Sequence, residues 1–196
     1  MTQRSHASGW TQLTAALLVA LNAELLLRLL APPGALAERR EEVYGFLCLL
    51  ALLLILATRW LPRWKAYRRV LGLSAFAYGL IHGWLALQQV LQGDPENLLF
   101  LNQTTQAAIG VGVVALVGLL PLALTSTNWA QRRLGRQWKR LHRAGPWLTL
   151  LSALHTAWAG IHFGLSPVVW TSTVLLTLCG ALVLLPRRAR SAKVTS

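Results

Sequence analysis

Six apolar stretches, at about residues 10–31, 43–61, 70–91, 106–126, 144–164 and 167–185, take up almost all of this 196-residue chain. Each is as long, or nearly as long, as the roughly 20 helical residues needed to cross a hydrocarbon core. The segments between them are short, so no separate soluble domain fits. Only 13% of the residues are charged, against about 25% in soluble domains. The fold expected is all-α: a polytopic membrane protein with a bundle of six transmembrane helices.

The net charge of +13 raises the question of nucleic acid, and its distribution answers it. Arg59, Arg63, Lys65, Arg68 and Arg69 lie between spans two and three, and Arg132, Arg133, Arg136, Lys139, Arg140 and Arg143 between four and five. Arg187, Arg188, Arg190 and Lys193 form the tail. None of these segments contains an acid. Glu38, Glu41, Glu42, Asp94 and Glu96 all fall in the intervening loops. The positive-inside rule then places both termini and both basic loops in the cytoplasm, and the partner implied is a lipid bilayer, not nucleic acid.

The N-terminal run is too long for a signal h-region and is interrupted by Asn22, Glu24 and Arg28, so it reads as a retained anchor. Glu24 and Arg28, four apart on one face, are spaced for an ion pair; a proton or quinone contact is the other reading. Cys48 and Cys179 sit in apolar runs and read as packed thiols. In span three, Gly72, Ser74, Ala75, Gly79 and Gly83 keep the helix narrow, either for another helix or for a flat macrocycle. Gly110-Val111-Gly112 has no preceding strand and is no dinucleotide fingerprint. With no P-loop either, the chain shows no means of binding NAD(P)H or ATP by itself. Leu134, Trp138 and Leu141 recur at helical spacing among six cations, which predicts one amphipathic helix at the inner interface. That segment serves either as a topology determinant or as a docking and phosphate-binding surface.

Histidines at bilayer depth need a reason. His82 lies about twelve residues into span three and His155 about eleven into span five, and both spans run outward, so both imidazoles are expected about 17 Å from the inner edge. Two neutral imidazoles at one level can clamp a haem iron from both faces; alternatively they are buried histidines bonded to backbone or to each other. His142 lies about 20 Å along the helix from His155 and cannot share that iron. An inner haem would want a ligand near residue 69, where the chain has arginine, so one firmly bound haem is expected. His162 reads as an exit-side relay or an interfacial histidine, and His6 carries no weight in the N-terminal tail.

Arg68-Arg69-x-Leu71-Gly72-Leu73 leading to His82, then Leu122-Ala123-Leu124-Thr125-Ser126, Arg132-Arg133-Leu134-Gly135-x-x-Trp138-x-x-Leu141-His142-Arg143 and Leu154-His155-x-x-Trp158 form a recognisable set. Over roughly residues 40–185 it resembles the MsrQ family, the haem-binding membrane subunits of periplasmic methionine sulfoxide reductase systems, in the ferric-reductase-like transmembrane superfamily. The resemblance implies a division into 1–40 (N-terminal segment with the first span), 41–186 (haem-binding domain) and 187–196 (basic cytoplasmic tail). It implies b-type haem with His82 and His155 as axial ligands, and His142 as a third family histidine. It also implies FMN near the basic inner surface, where Arg132, Arg133 and Arg136 are candidate contacts. The function implied is that of an electron-transfer subunit in the bacterial inner membrane rather than a complete enzyme. Electrons would pass from a cytoplasmic flavin reductase or quinol to an outer-side reductase. A ferric-chelate or quinone reductase subunit, and a non-enzymatic scaffold or transporter, are the competing readings.

Overall fold

A computed structural model describes residues 9–32 and 34–162, with isolated helical positions at 174, 178 and 180. Among the described residues all regular structure is helical. The described residues form seven continuous α-helices: α1 (Gly9–Leu30), α2 (Leu36–Ala57), α3 (Arg68–Gln89), α4 (Gln103–Leu124), α5 (Asn128–Leu134), α6 (Arg136–His142) and α7 (Gly145–His162). Short 3-10 turns at Pro62–Tyr67 and Pro95–Phe100 lead into the loops before α3 and α4. Helices α1, α2, α3, α4 and α7 occupy five of the six apolar stretches. The sixth, 167–185, lies outside the described residues except for those isolated positions, as do Cys179, His6 and the basic tail. Two helical segments, 63–89 and 103–124, are long and apolar enough to cross a membrane by length and composition.

The bundle is built on two close helix pairs, α2 with α3 and α4 with α7, and α2 also touches α7. Leucines of α2 fill the space between them: Leu49, Leu53 and Leu56 pack with Ala153, while Cys48, Ala51 and Leu52 pack with Ala75, Tyr78, Leu119 and Leu148. Ala75 and Ala153 are completely buried, because small residues let the helix backbones approach. Cys48 is a packed thiol, as the apolar run around it suggests. Gly79 and Gly83 settle on the side of helix packing. A Cβ on Gly79 would stand 3.1 Å from Leu116 Cδ1 and 3.4 Å from Cys48 Sγ, and one on Gly83 3.4 Å from Leu116 Cδ2.

The periphery inverts the pattern of a water-soluble domain. Leu17, Leu18, Leu21, Leu25 and Leu29 of α1 and Val113, Val114, Val117 and Leu124 of α4 are exposed. Thr58, Thr105 and Thr149 are buried, with hydroxyls bonded inside: Thr58 Oγ1 donates to Ile55 O and Thr149 Oγ1 to Gly145 O. Apolar faces on this scale are what a bilayer covers.

Polar ties fix the ends. Glu24 and Arg28 form the expected pair at 3.1 Å. Arg40 also reaches Glu24, through Nε at 2.9 Å and through a second contact, and ties α1 to α2. Tyr78 Oη donates to Ala16 O and ties α3 to α1. At the basic end, Arg68 donates to Thr58 Oγ1 and Arg69 to Asn128 Oδ1 at 2.5 Å. The two basic loops therefore meet at one end of the bundle.

The single amphipathic helix expected over 127–143 is instead two short helices. Gly135 breaks them with φ +49°, a backbone conformation that L side chains rarely adopt. The break turns Trp138 inward, and its Nε1–H donates to Thr125 O at 2.9 Å. A helix leaves its last carbonyls without partners, and here the indole of α6 supplies a donor at the end of α4.

Candidate functional site

α3 carries His82 and α7 carries His155, and the bundle brings their rings together in an edge-on, T-shaped arrangement. The centroids are 5.9 Å apart and the planes cross at 68°. The equal depth expected from counting residues along two spans is therefore realised as direct juxtaposition.

Each imidazole is held from behind by a helix carbonyl. His82 Nδ1 lies 2.9 Å from Glu41 O on α2, and His155 Nδ1 lies 2.8 Å from Ala108 O on α4. A carbonyl oxygen only accepts, so each Nδ1 carries the proton and each neutral ring keeps its lone pair on Nε2. Among the described residues no hydrogen-bond partner engages either Nε2. Backbone bonding, one of the two readings of these histidines, thus occurs, and it leaves the metal-binding nitrogen of each ring available.

Two glycines make these contacts possible. A Cβ on Gly45 would lie 3.1 Å from His82 Nδ1, and one on Gly112 would lie 2.8 Å from both Nδ1 and Cε1 of His155. Neither residue is a candidate in the sequence reading: Gly45 sits in a span that looks like scaffold, and Gly112 belongs to a glycine pair that is no fingerprint. The signal was there. A helix-interior glycine costs about 1 kcal/mol relative to alanine, so one that persists asks for a close neighbour.

The donor set fits a haem better than a bare ion. Among the described residues no group of three or more His, Cys, Asp or Glu side chains is placed to hold a metal, whereas protein sites for zinc take three or four such ligands. Two opposed imidazoles suffice only for an iron whose other positions are filled by its own macrocycle, and bis-imidazole ligation is one of the standard ways to hold it.

His142 differs from both. It ends α6, 4.1 Å centroid to centroid above the Trp138 ring, with an interplanar angle of 26°. Its Nε2 lies 3.0 Å from Thr125 Oγ1. That hydroxyl already gives its proton to Pro121 O at 2.6 Å, so His142 Nε2 is the donor here and the opposite tautomer is set. Burial pushes the His142 pKa below its usual value, which keeps the ring neutral at pH 7. Arg69, at the level where an inner ligand would be wanted, is bonded to Asn128. Arg132, Arg133 and Arg136 are all exposed, and the Arg133 guanidinium lies 5.9 Å from the Trp129 ring centroid. They form a cationic face at the basic end, apart from the paired histidines. The side chain of His162 lies outside the described residues.

On the far side of His82, burial together with the nearby Glu42 and Glu38 pushes the Glu41 carboxyl up to about 7.

Residues 43–153 match the family model for the ferric reductase like transmembrane component. The chain is 36% identical over 155 residues to the protein-methionine-sulfoxide reductase heme-binding subunit MsrQ of Bordetella pertussis, covering 76% of this chain and 74% of that one. It is 31% identical over 166 residues to the MsrQ subunits of Yersinia pseudotuberculosis (79% and 81% covered) and Yersinia pestis (79% and 80%). No solved structure matches. His82 falls within the 43–153 stretch and His155 two residues past its end, on two helices of an apolar bundle, and the chain belongs to the ferric reductase-like transmembrane family, among its MsrQ members.

Proposed function

We propose that this chain is a membrane electron-transfer subunit that holds one b-type haem between His82 and His155. Electrons would pass from the cytoplasmic, basic end to an acceptor on the outer side. The observation that carries the reading is the pair of imidazoles 5.9 Å apart, each with Nδ1 bonded to a carbonyl and Nε2 turned to the other task. The relatives' printed name, heme-binding subunit of a protein-methionine-sulfoxide reductase, supports the cofactor and suggests the acceptor, a periplasmic reductase subunit.

A bound haem supplies a one-electron ferric/ferrous couple in the middle of the bilayer. His82 and His155 would hold it in line, and the carbonyls of Glu41 and Ala108 would fix each ring's tautomer and raise its basicity as a ligand. Two histidine ligands on packed helices would favour electron transfer over binding of small molecules at the iron. The charge pattern supports a six-span topology with the basic loops and both termini in the cytoplasm, in which the Arg132, Arg133 and Arg136 face would be the docking surface for a cytoplasmic flavin donor. The FMN that the family resemblance implies would be bound or received there; membrane quinol is the other donor class.

Detergent-purified protein is expected to show a reducible b-type Soret band that is lost in His82→Ala and in His155→Ala. Unchanged haem content in both variants sinks the assignment. Absence of haem from the wild type favours a scaffold or transporter.

A further inference from the structure

We infer that Gly45 and Gly112 are positioning residues for the haem ligands: each keeps open one helix carbonyl so that a histidine of the neighbouring helix can dock its Nδ1–H there and present Nε2 to the iron. The inference rests on the proposed haem site and adds to it how the chain fixes the two ligands.

In an α-helix the carbonyl of residue i points toward residue i+4, whose N–H it receives. A side chain at i+4 crowds any second donor approaching that oxygen. The acceptor for His82 is Glu41, and four residues on is Gly45; the acceptor for His155 is Ala108, and four residues on is Gly112. The same offset appears twice, on two different helices, facing two different histidines. In each case the missing Cβ is the atom that would strike the imidazole, at 3.1 Å for Gly45 and 2.8 Å for Gly112. Gly110, two residues earlier on α4, has nothing within 4 Å of the corresponding position. Gly118, further along α4, is in turn approached closely by Leu148 of α7, so α7 lies tight against α4 at both glycines, and at Gly112 the group admitted is the histidine ring.

The carbonyl bond matters because a neutral imidazole has one proton to place. With Nδ1–H directed at a carbonyl, Nε2 is left as the ligand, and the ring cannot rotate without breaking a buried bond. A methyl at residue 112 forces the His155 ring off Ala108 O, and a methyl at residue 45 does the same to His82 with less overlap. The damage is then to ligand orientation, and it should exceed any damage to the helix, since alanine is a better helix former than glycine.

The experiment compares Gly112→Ala, Gly45→Ala and Gly110→Ala in the full-length protein purified in detergent. Haem spectrum, carbon monoxide binding by the reduced form, and Tm are read in each. Gly112→Ala is expected to lose the six-coordinate low-spin spectrum, to bind carbon monoxide when reduced, and to hold haem about 10–100-fold less tightly, as for loss of an outer-shell partner. Added imidazole is expected to restore the low-spin spectrum. Gly45→Ala should show a weaker form of the same change, and Gly110→Ala none. If Gly112→Ala does not fold, as judged by gel filtration and Tm, Gly45→Ala decides, because its overlap can be relieved by a shift of a few tenths of an ångström. Wild-type spectra with no carbon monoxide binding in the folded variants overturn the positioning role while leaving the haem site standing. A haem-free wild type overturns both.

Discussion

Two of the bundle's histidines meet between α3 and α7 and a third ends α6 at the basic end, and they are poised in opposite ways. His82 and His155 turn Nδ1 to a backbone carbonyl and leave Nε2 available, whereas His142 gives its Nε2–H to Thr125 and lies flat on Trp138. The first arrangement suits a ligand to iron. The second holds a loop: with Trp138 bonded to Thr125 O, it staples α6 to the end of α4. What a histidine can do here depends less on its depth than on which of its nitrogens the neighbouring backbone has already claimed.

The largest effect that separates the two sites is on cofactor retention. His82→Ala and His155→Ala are each expected to cut bound haem by roughly ten-fold or more, measured as the pyridine haemochrome per polypeptide, while His142→Ala retains it. Equal losses in all three variants break the distinction.

A second, smaller effect concerns the cationic face. Reversing charge at Arg132, Arg133 and Arg136 is expected to slow reduction by a soluble flavin donor by about ten-fold or more at low salt and to flatten its dependence on ionic strength, because steering by exposed charge is what salt screens. Stopped-flow reduction across a salt series checks this. No change in rate or slope returns the loop to its bland role as a topology signal.

How much of this was legible beforehand divides along the same line. The spans, the pairing of His82 with His155 and the Glu24–Arg28 pair follow from apolar length, charge alternation and helical spacing, all of which are local properties of a sequence. The break at Gly135 was hidden because the spacing of Leu134, Trp138 and Leu141 mimics a continuous helix, and only a tertiary bond from Trp138 to Thr125 O shows where that face is needed. Gly45 and Gly112 were hidden for a related reason: their importance lies in atoms they lack, opposite residues 37 and 43 positions away in the chain (82 − 45 and 155 − 112). Arg40 joining Glu24 was likewise a contact between two helices rather than along one.

A third effect is a pH dependence on the far side of His82. Burial pushes the Glu41 carboxyl up to about 7 in the folded protein, against the ordinary value of about 4.3 in the unfolded chain. The folded state therefore binds this proton more tightly. Its stabilising contribution is full below about pH 4 and is lost as pH rises through about 7. Glu41→Gln is expected to remove that loss, raising Tm by a few degrees at pH 8 and leaving it nearly unchanged at pH 5. Parallel Tm curves for the two proteins from pH 5 to 8 contradict this.

The smallest effect is at the staple. Thr125→Val removes the acceptor for His142 and is expected to destabilise by about 1 kcal/mol without moving the haem spectrum. A spectral shift would mean that the inner loop and the paired histidines are coupled.

The proposed site holds one haem, between His82 and His155 and not at His142. Haem per polypeptide, counted in the wild type, His82→Ala and His142→Ala, tests it most directly. The expected ratios are about one, near zero and about one. A wild-type ratio near two, falling to about one in His142→Ala, would contradict it, because it would require His142 to leave Thr125 and ligate an inner haem.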